Sequence, residues 1–107
     1  MAEKQQISKE FLAEAKGCLR ITTDDQVINT EIVSLIKACQ RDLIRNGITP
    51  SLANGLEDSL IKMAVLTYLK AEFGLDNKNR DKFRASYEQL RADLSLTDDY
   101  ITEKKVS

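Results

Sequence analysis

The sequence contains no histidine and no tryptophan, and it has only two cysteines, one proline and four glycines. Each absence narrows the field. Without histidine the chain lacks the commonest general base at neutral pH and the commonest metal ligand. One proline and four glycines are too few for an all-β protein made of many tight turns. Cys18 and Cys39 form no Cys-x-x-Cys pair, and a metal site needs two further soft ligands that the chain does not supply. They read as reduced, buried apolar residues. No apolar run is long enough to cross a bilayer, since the most apolar window, Leu60–Leu69, is interrupted at Lys62 and followed by Lys70. Met1–Gln6 is polar and has no signal-peptide core, so a reducing, cytoplasmic setting is expected. Excess charge is missing as well. Sixteen Lys and Arg stand against seventeen Asp and Glu, for a net charge of −1, mixed evenly along the 107 residues. That is not the field of a protein that neutralises many phosphates. Little net charge leaves little repulsion between copies, which favours self-association.

What remains is a helical pattern. Apolar residues make up 42% and charged residues 31%, the balance of one globular domain with a modest core. The first helix is expected over Lys9–Leu19, with Ser8 as N-cap and Phe11, Leu12, Ala15, Cys18 and Leu19 on one stripe. A long second helix is expected from Asp25 to Asn46. Ile28, Ile32, Leu35, Ile36, Cys39 and Leu43 form its inner face, and Gly47 stops it. Ile48 to Gly55 reads as a loop around Pro50. A third helix over Leu56–Phe73 is apolar most of the way round, the mark of a central helix or one shared with a partner. Within it Ile61, Val65 and Leu69 form a second stripe beside Leu60, Ala64 and Tyr68, and they are the candidate subunit interface. A fourth helix, capped by Asn77 or Asn79, runs to Leu94 with Phe83, Tyr87, Leu90 and Leu94 inward. The expectation is therefore an all-α, four-helix domain over residues 8–94. A flexible N-terminus, 1–7, and a flexible C-terminal tail, 95–107, flank it. No strand and no internal repeat is expected.

Catalytic constellations are missing. Asp24-Asp25 and Asp98-Asp99 are adjacent acidic pairs, and the first reads as helix capping. The glycines at 17, 47, 55 and 74 have no phosphate-cradling spacing. No cofactor, metal or catalytic residue is expected. Lys78, Arg80, Lys82 and Arg84 form the densest basic cluster and a candidate charged contact surface, although cations at a helix N-terminus oppose the dipole. A helix-turn-helix reading of the second and third helices fails on the length of Gly47–Gly55 and on the apolarity of the third helix.

Three places carry a resemblance. Lys16-Gly17-Cys18-Leu19-Arg20-Ile21 is followed by Asp24-Asp25. Ile32, Leu35, Ile36 and Ala38 lie along the long second helix. Pro50 precedes the apolar helix that carries Leu60, Ala64, Tyr68 and Leu69. In order and spacing, over Ser8–Leu94, this resembles the tailed-phage head–tail connector proteins, small helical adaptors bound beneath the portal. The link between the second and third helices is shorter here than in many relatives, and the segment after Leu94 matches no family pattern. The resemblance implies a non-enzymatic structural part of the virion, made in the host cytoplasm. It implies a ring, of twelve subunits, that sits under the portal protein and meets a stopper or tail-completion protein. DNA would pass through its lumen without sequence-specific binding, and no membrane is involved. Tyr100 and Ile101, apolar groups on a polar tail, are the candidate portal contact. Two other readings stand beside it: a small helical regulator that holds one partner helix on the third helix, and a DNA-binding protein using Lys78–Arg84.

Overall fold

The computed structural model describes residues 7–74 and 77–101. Five α-helices follow one another: α1 (Lys9–Cys18), α2 (Gln26–Arg45), α3 (Pro50–Gly55), α4 (Ser59–Glu72) and α5 (Arg80–Ser95). A single 3₁₀ turn, Asp98–Tyr100, comes after them. Among the described residues there is no strand, and the chain is all-α as expected. None of these helices is long and apolar enough to cross a membrane.

Local signals account for most boundaries. Ser8 accepts the Phe11 amide at 3.0 Å and starts α1. Asp25 accepts the amides of Val27 and Ile28 to start α2, and Asp58 does the same for Leu60 and Ile61 at the head of α4. Gly47 ends α2 at φ 99°, and the Ile48 amide reaches back to the Leu43 carbonyl at 3.0 Å. This is the helix stop that favours glycine. The end of α1 has the same geometry without glycine. Arg20 sits at φ 62°, and Ile21 donates to Lys16 at 2.9 Å.

One element differs from expectation. The segment around Pro50 is a short helix and not a loop, because proline at a first helical position loses no hydrogen bond. The buried Gln40 side chain donates to the carbonyls of Ala53 (3.1 Å) and Asn54 (3.5 Å) at the end of α3. Leu56 then turns left-handed at φ 55°, a conformation costing about 1–2 kcal/mol for a residue with a Cβ. Its side chain is buried, which offsets a cost of that size. The turn delays the next helix to Ser59, three residues later than expected.

Packing is centred on α4. It lies against α5 and α2, with further contacts to α1. Ile61, Ala64, Val65, Leu69 and Ala71 are its buried residues. With neighbours on three sides, its wide apolar face is explained. It runs antiparallel to α5. Glu72 meets Arg84, Tyr68 packs edge-on against Tyr87 at 5.1 Å, and the Lys70 ammonium lies over the Phe83 ring. The core also takes Phe11, Ala15, Ile32, Ile36, Cys39, Leu43, Ile48 and Leu94.

The C-terminal segment is part of the fold through Ile101, which moves the expected domain edge past Leu94. The Thr49 amide donates to the Tyr100 carbonyl at 2.8 Å, and Ile101 forms an isolated antiparallel bridge with Ile48. Residues 102–107 of the expected tail, and 1–6 of the expected flexible N-terminus, lie outside the described residues. Ile7 packs on the core.

Candidate interaction surfaces

A groove of about 650 Å³ lies between the C-terminal half of α2 and helices α4 and α5. Tyr68 and Tyr87 line it, with charges from Arg41, Asp42, Arg45, Glu72, Arg84, Glu88 and Arg91. Asp42 ties the groove together. It accepts the Tyr87 hydroxyl at 2.7 Å, forms an ion pair with Arg91 at 2.8 Å and lies 3.4 Å from Arg45. Burial alone would raise its pKa, but the hydrogen bonds from Tyr87 and Arg91 outweigh that and hold it below the ordinary carboxylate value. The Cys39 thiol donates to the Tyr87 hydroxyl oxygen at 3.6 Å, and burial pushes its pKa up to about 12. A thiol so held is a poor nucleophile. Burial likewise raises Tyr68 and Tyr87. Asp42 holds both Tyr87 and Arg91, so the network works as a clasp between α2 and α5. Among the described residues no group of acids and cysteines could hold a metal ion.

The Lys78–Arg84 cluster divides. Arg80 donates to the Gly74 carbonyl at 2.6 Å, just past the end of α4. Arg84 makes a two-pronged contact with Glu72 at 2.8 and 3.0 Å, which holds the Glu72 carboxyl below its ordinary value. Asn77 adds a donor to the Lys70 carbonyl at 2.6 Å. Cations at the start of α5 also sit at the end of α4, where the dipole favours them. Of the cluster, Lys78 and Lys82 are exposed and have no ion pair among the described residues. The cluster is therefore first a hairpin clamp.

The apolar candidates change places. Ile61, Val65 and Leu69 are all 0% exposed, so the expected subunit face is core of the chain itself and offers a neighbour nothing. The exposed apolar residues of α4 are Leu60 (43%) and Met63 (50%). The antiparallel register of α4 and α5 brings them to the same end of the bundle as Leu96, which is 82% exposed. Leu60 was legible as apolar, but its side of the helix was not, because α4 carries apolar residues on too many of its faces.

Tyr100 and Ile101, the expected portal contact, are half-buried and turned onto the chain's own domain. The Tyr100 hydroxyl donates to both oxygens of Asp58, at 2.9 and 3.1 Å. Burial acts to raise the Asp58 pKa, but the hydrogen bonds from Tyr100 and from the Ile61 and Leu60 amides prevail and lower it. The two residues fasten a strap across the end of the bundle.

Comparison with known proteins agrees with this architecture. The family model described as phage connector protein matches residues 11–101, which takes in α2 to α5, the strap and all of α1 but its first two residues. No curated protein and no solved structure matches the chain.

Proposed function

The chain belongs to the phage connector protein family, and from that premise we propose that it is a head–tail adaptor assembling as a ring beneath the portal protein. The ring has twelve copies, extends the DNA channel and presents its far side to a stopper or tail-completion protein. The family match over nearly the whole folded chain carries this reading. The family is a structural one, and its members are parts of the phage particle.

The geometry supports the role at one end of the bundle. The exposed Leu60, Met63 and Leu96 give one end of the bundle an apolar surface, and we assign it to the axial contact with the portal protein. This replaces Tyr100 and Ile101 in that role. The DNA-binding alternative has little to rest on, since Arg80 and Arg84 are engaged inside the hairpin.

The test is to add the purified chain to purified portal rings and count bound copies by native mass spectrometry and electron microscopy. A coaxial ring of added mass is expected. A chain that stays monomeric beside its portal, and is missing from the virion by mass spectrometry, overturns the reading. Leu60→Asp with Met63→Asp is expected to abolish portal binding while the helical circular dichroism spectrum is kept.

A further inference from the structure

A ring joined head to tail needs two different faces on each copy, one to meet the face of the next. The distribution of unpaired charge supplies such a pair. On the solvent side of α2, Lys37, Arg41 and Arg45 recur at i, i+4 and i+8 and make one cationic row, of which Arg41 and Arg45 line the groove. All three are exposed. Among the described residues Lys37 and Arg41 have no ion-pair partner, and Arg45 shares Asp42 with the closer Arg91. Glu88, on α5, is the one carboxylate lining that groove without an ion pair.

The opposite charge collects elsewhere. A notch of about 370 Å³ lies where α1 meets the α3–α4 junction, lined by Glu10, Phe11, Glu14, Leu56, Glu57 and Lys62 among others. Glu14 pairs with Lys62 at 3.3 Å. Glu10 and Glu57 are exposed and, among the described residues, have no ion pair. The notch and the groove share no lining residue. The row thus leaves Lys37 and Arg41 as exposed cations without an ion pair, with Glu88 the unpaired acid of the adjoining groove, and the notch leaves Glu10 and Glu57 unpaired beside the Glu14–Lys62 pair, in a chain whose total charge is −1. Like faces repel and unlike faces attract, so two copies cannot pair symmetrically through either patch but can join one to the other.

We infer that the Lys37–Arg41–Arg45 row of one copy docks into the Glu10–Glu57 notch of the next, and that this contact is the lateral joint of the ring. The inference rests on the ring reading above and goes further by naming both faces. Its sign makes assembly salt-dependent, because exposed pairs are screened over about 8–10 Å at 0.10–0.15 M salt.

The experiment uses two charge-reversed full-length chains, K37E/R41E and E10K/E57K. Among the described residues none of the four has an ion pair, and the one local cost expected is the loss of an acid from the first turn of α1 in E10K, so circular dichroism checks that both variants fold. Assembly is followed on portal rings by native mass spectrometry and by sedimentation. Each variant alone is expected to lose at least tenfold in ring occupancy. An equimolar mixture is expected to recover it with the two chains alternating, since each reversed face then meets an unlike neighbour. Recovery in the mixture is a result that a merely misfolded variant could not produce. Full ring occupancy by either variant alone overturns the inference and leaves the ring reading standing. Loss in both variants with no recovery on mixing also overturns it. A wild-type chain that binds the portal without forming a ring removes the ring reading and this inference together. Unchanged assembly of K37E/R41E with loss of a duplex DNA gel shift assigns the row to nucleic acid instead.

Discussion

Two tyrosine–carboxylate pairs hold this molecule, and they do different jobs. Tyr87–Asp42 sits inside the bundle, with Arg91 on the same carboxylate and a buried thiol behind the hydroxyl. Tyr100–Asp58 sits at the edge, where the same carboxylate also caps α4. The first pair joins two long helices that are already packed. The second holds a short strap that is also fastened by a backbone hydrogen bond from Thr49 and by the Ile48–Ile101 bridge. The same chemistry gives a permanent joint in one place and an openable one in the other, and the surroundings make the difference. A broken inner pair strands charge in a half-buried seam. A broken outer pair returns its groups to water.

That contrast can be broken in stages. The largest effect is expected from Asp42→Ala, which strands the Arg91 guanidinium and the Tyr87 hydroxyl. It should cost about 2–3 kcal/mol and lower the melting temperature by about 10–20 °C, measured by calorimetry. Asp58→Ala should cost less, about 1 kcal/mol, mainly through the lost helix cap. Chemical denaturation of the two variants side by side ranks them, and equal losses would erase the distinction drawn here.

Acid sharpens the same comparison. Both carboxyls lie below their ordinary value of 3.8 in the fold, so the stability they add is fully present above that pH. It is lost as pH falls below 3.8 through their lower folded values. Urea midpoints taken between pH 5 and pH 2 should fall steeply in the wild type. They should fall less steeply in Asp42→Ala, which has lost one of the linked carboxyls.

Smaller effects separate the joints locally. Tyr100→Phe is expected to leave the melting temperature nearly unchanged but to speed hydrogen exchange at the Thr49 amide, whose acceptor is on the strap. The thiols report on the inner joint. Cys18 is partly exposed and Cys39 buried, so an alkylating reagent should label one site in the folded chain and two in denaturant. Asp42→Ala should raise the labelling rate at Cys39, and Tyr100→Phe should not.

Much of this fold was legible, and the reasons are local. Ser8, Asp25 and Gly47 act through neighbours within five residues, and spacing within a segment reveals them. The inner face of α2 was legible because its apolar residues form a single row. What stayed hidden depends on partners far along the chain. Pro50 reads as a breaker until its position at the start of a turn of helix is known. Ile61, Val65 and Leu69 could not be told from Leu60 and Met63, because α4 has neighbours on three sides. The basic start of α5 looked unfavourable because only its own dipole was in view, while the end of α4 was the one it served. Asp42 carried a faint signal, an acid three residues after Cys39 and beside the buried row, and nothing nearby named Tyr87 or Arg91 as its partners. The Lys37–Arg41–Arg45 spacing was open to inspection but has meaning only beside the notch that α1, α3 and α4 build together.

The two tyrosine clasps also turn an absence into an instrument. With no tryptophan to dominate the emission, the three tyrosines are the whole intrinsic fluorescence of the chain. Two of them, Tyr87 and Tyr100, donate to a carboxylate, a contact that quenches a phenol's emission. The folded chain should therefore be dim and brighten as each clasp opens. Replacing Tyr100 leaves the inner joint to be watched without the strap's signal, and replacing Tyr87 leaves the strap to be watched without that of the inner joint. Opening of either clasp can then be followed by light alone, with no label added.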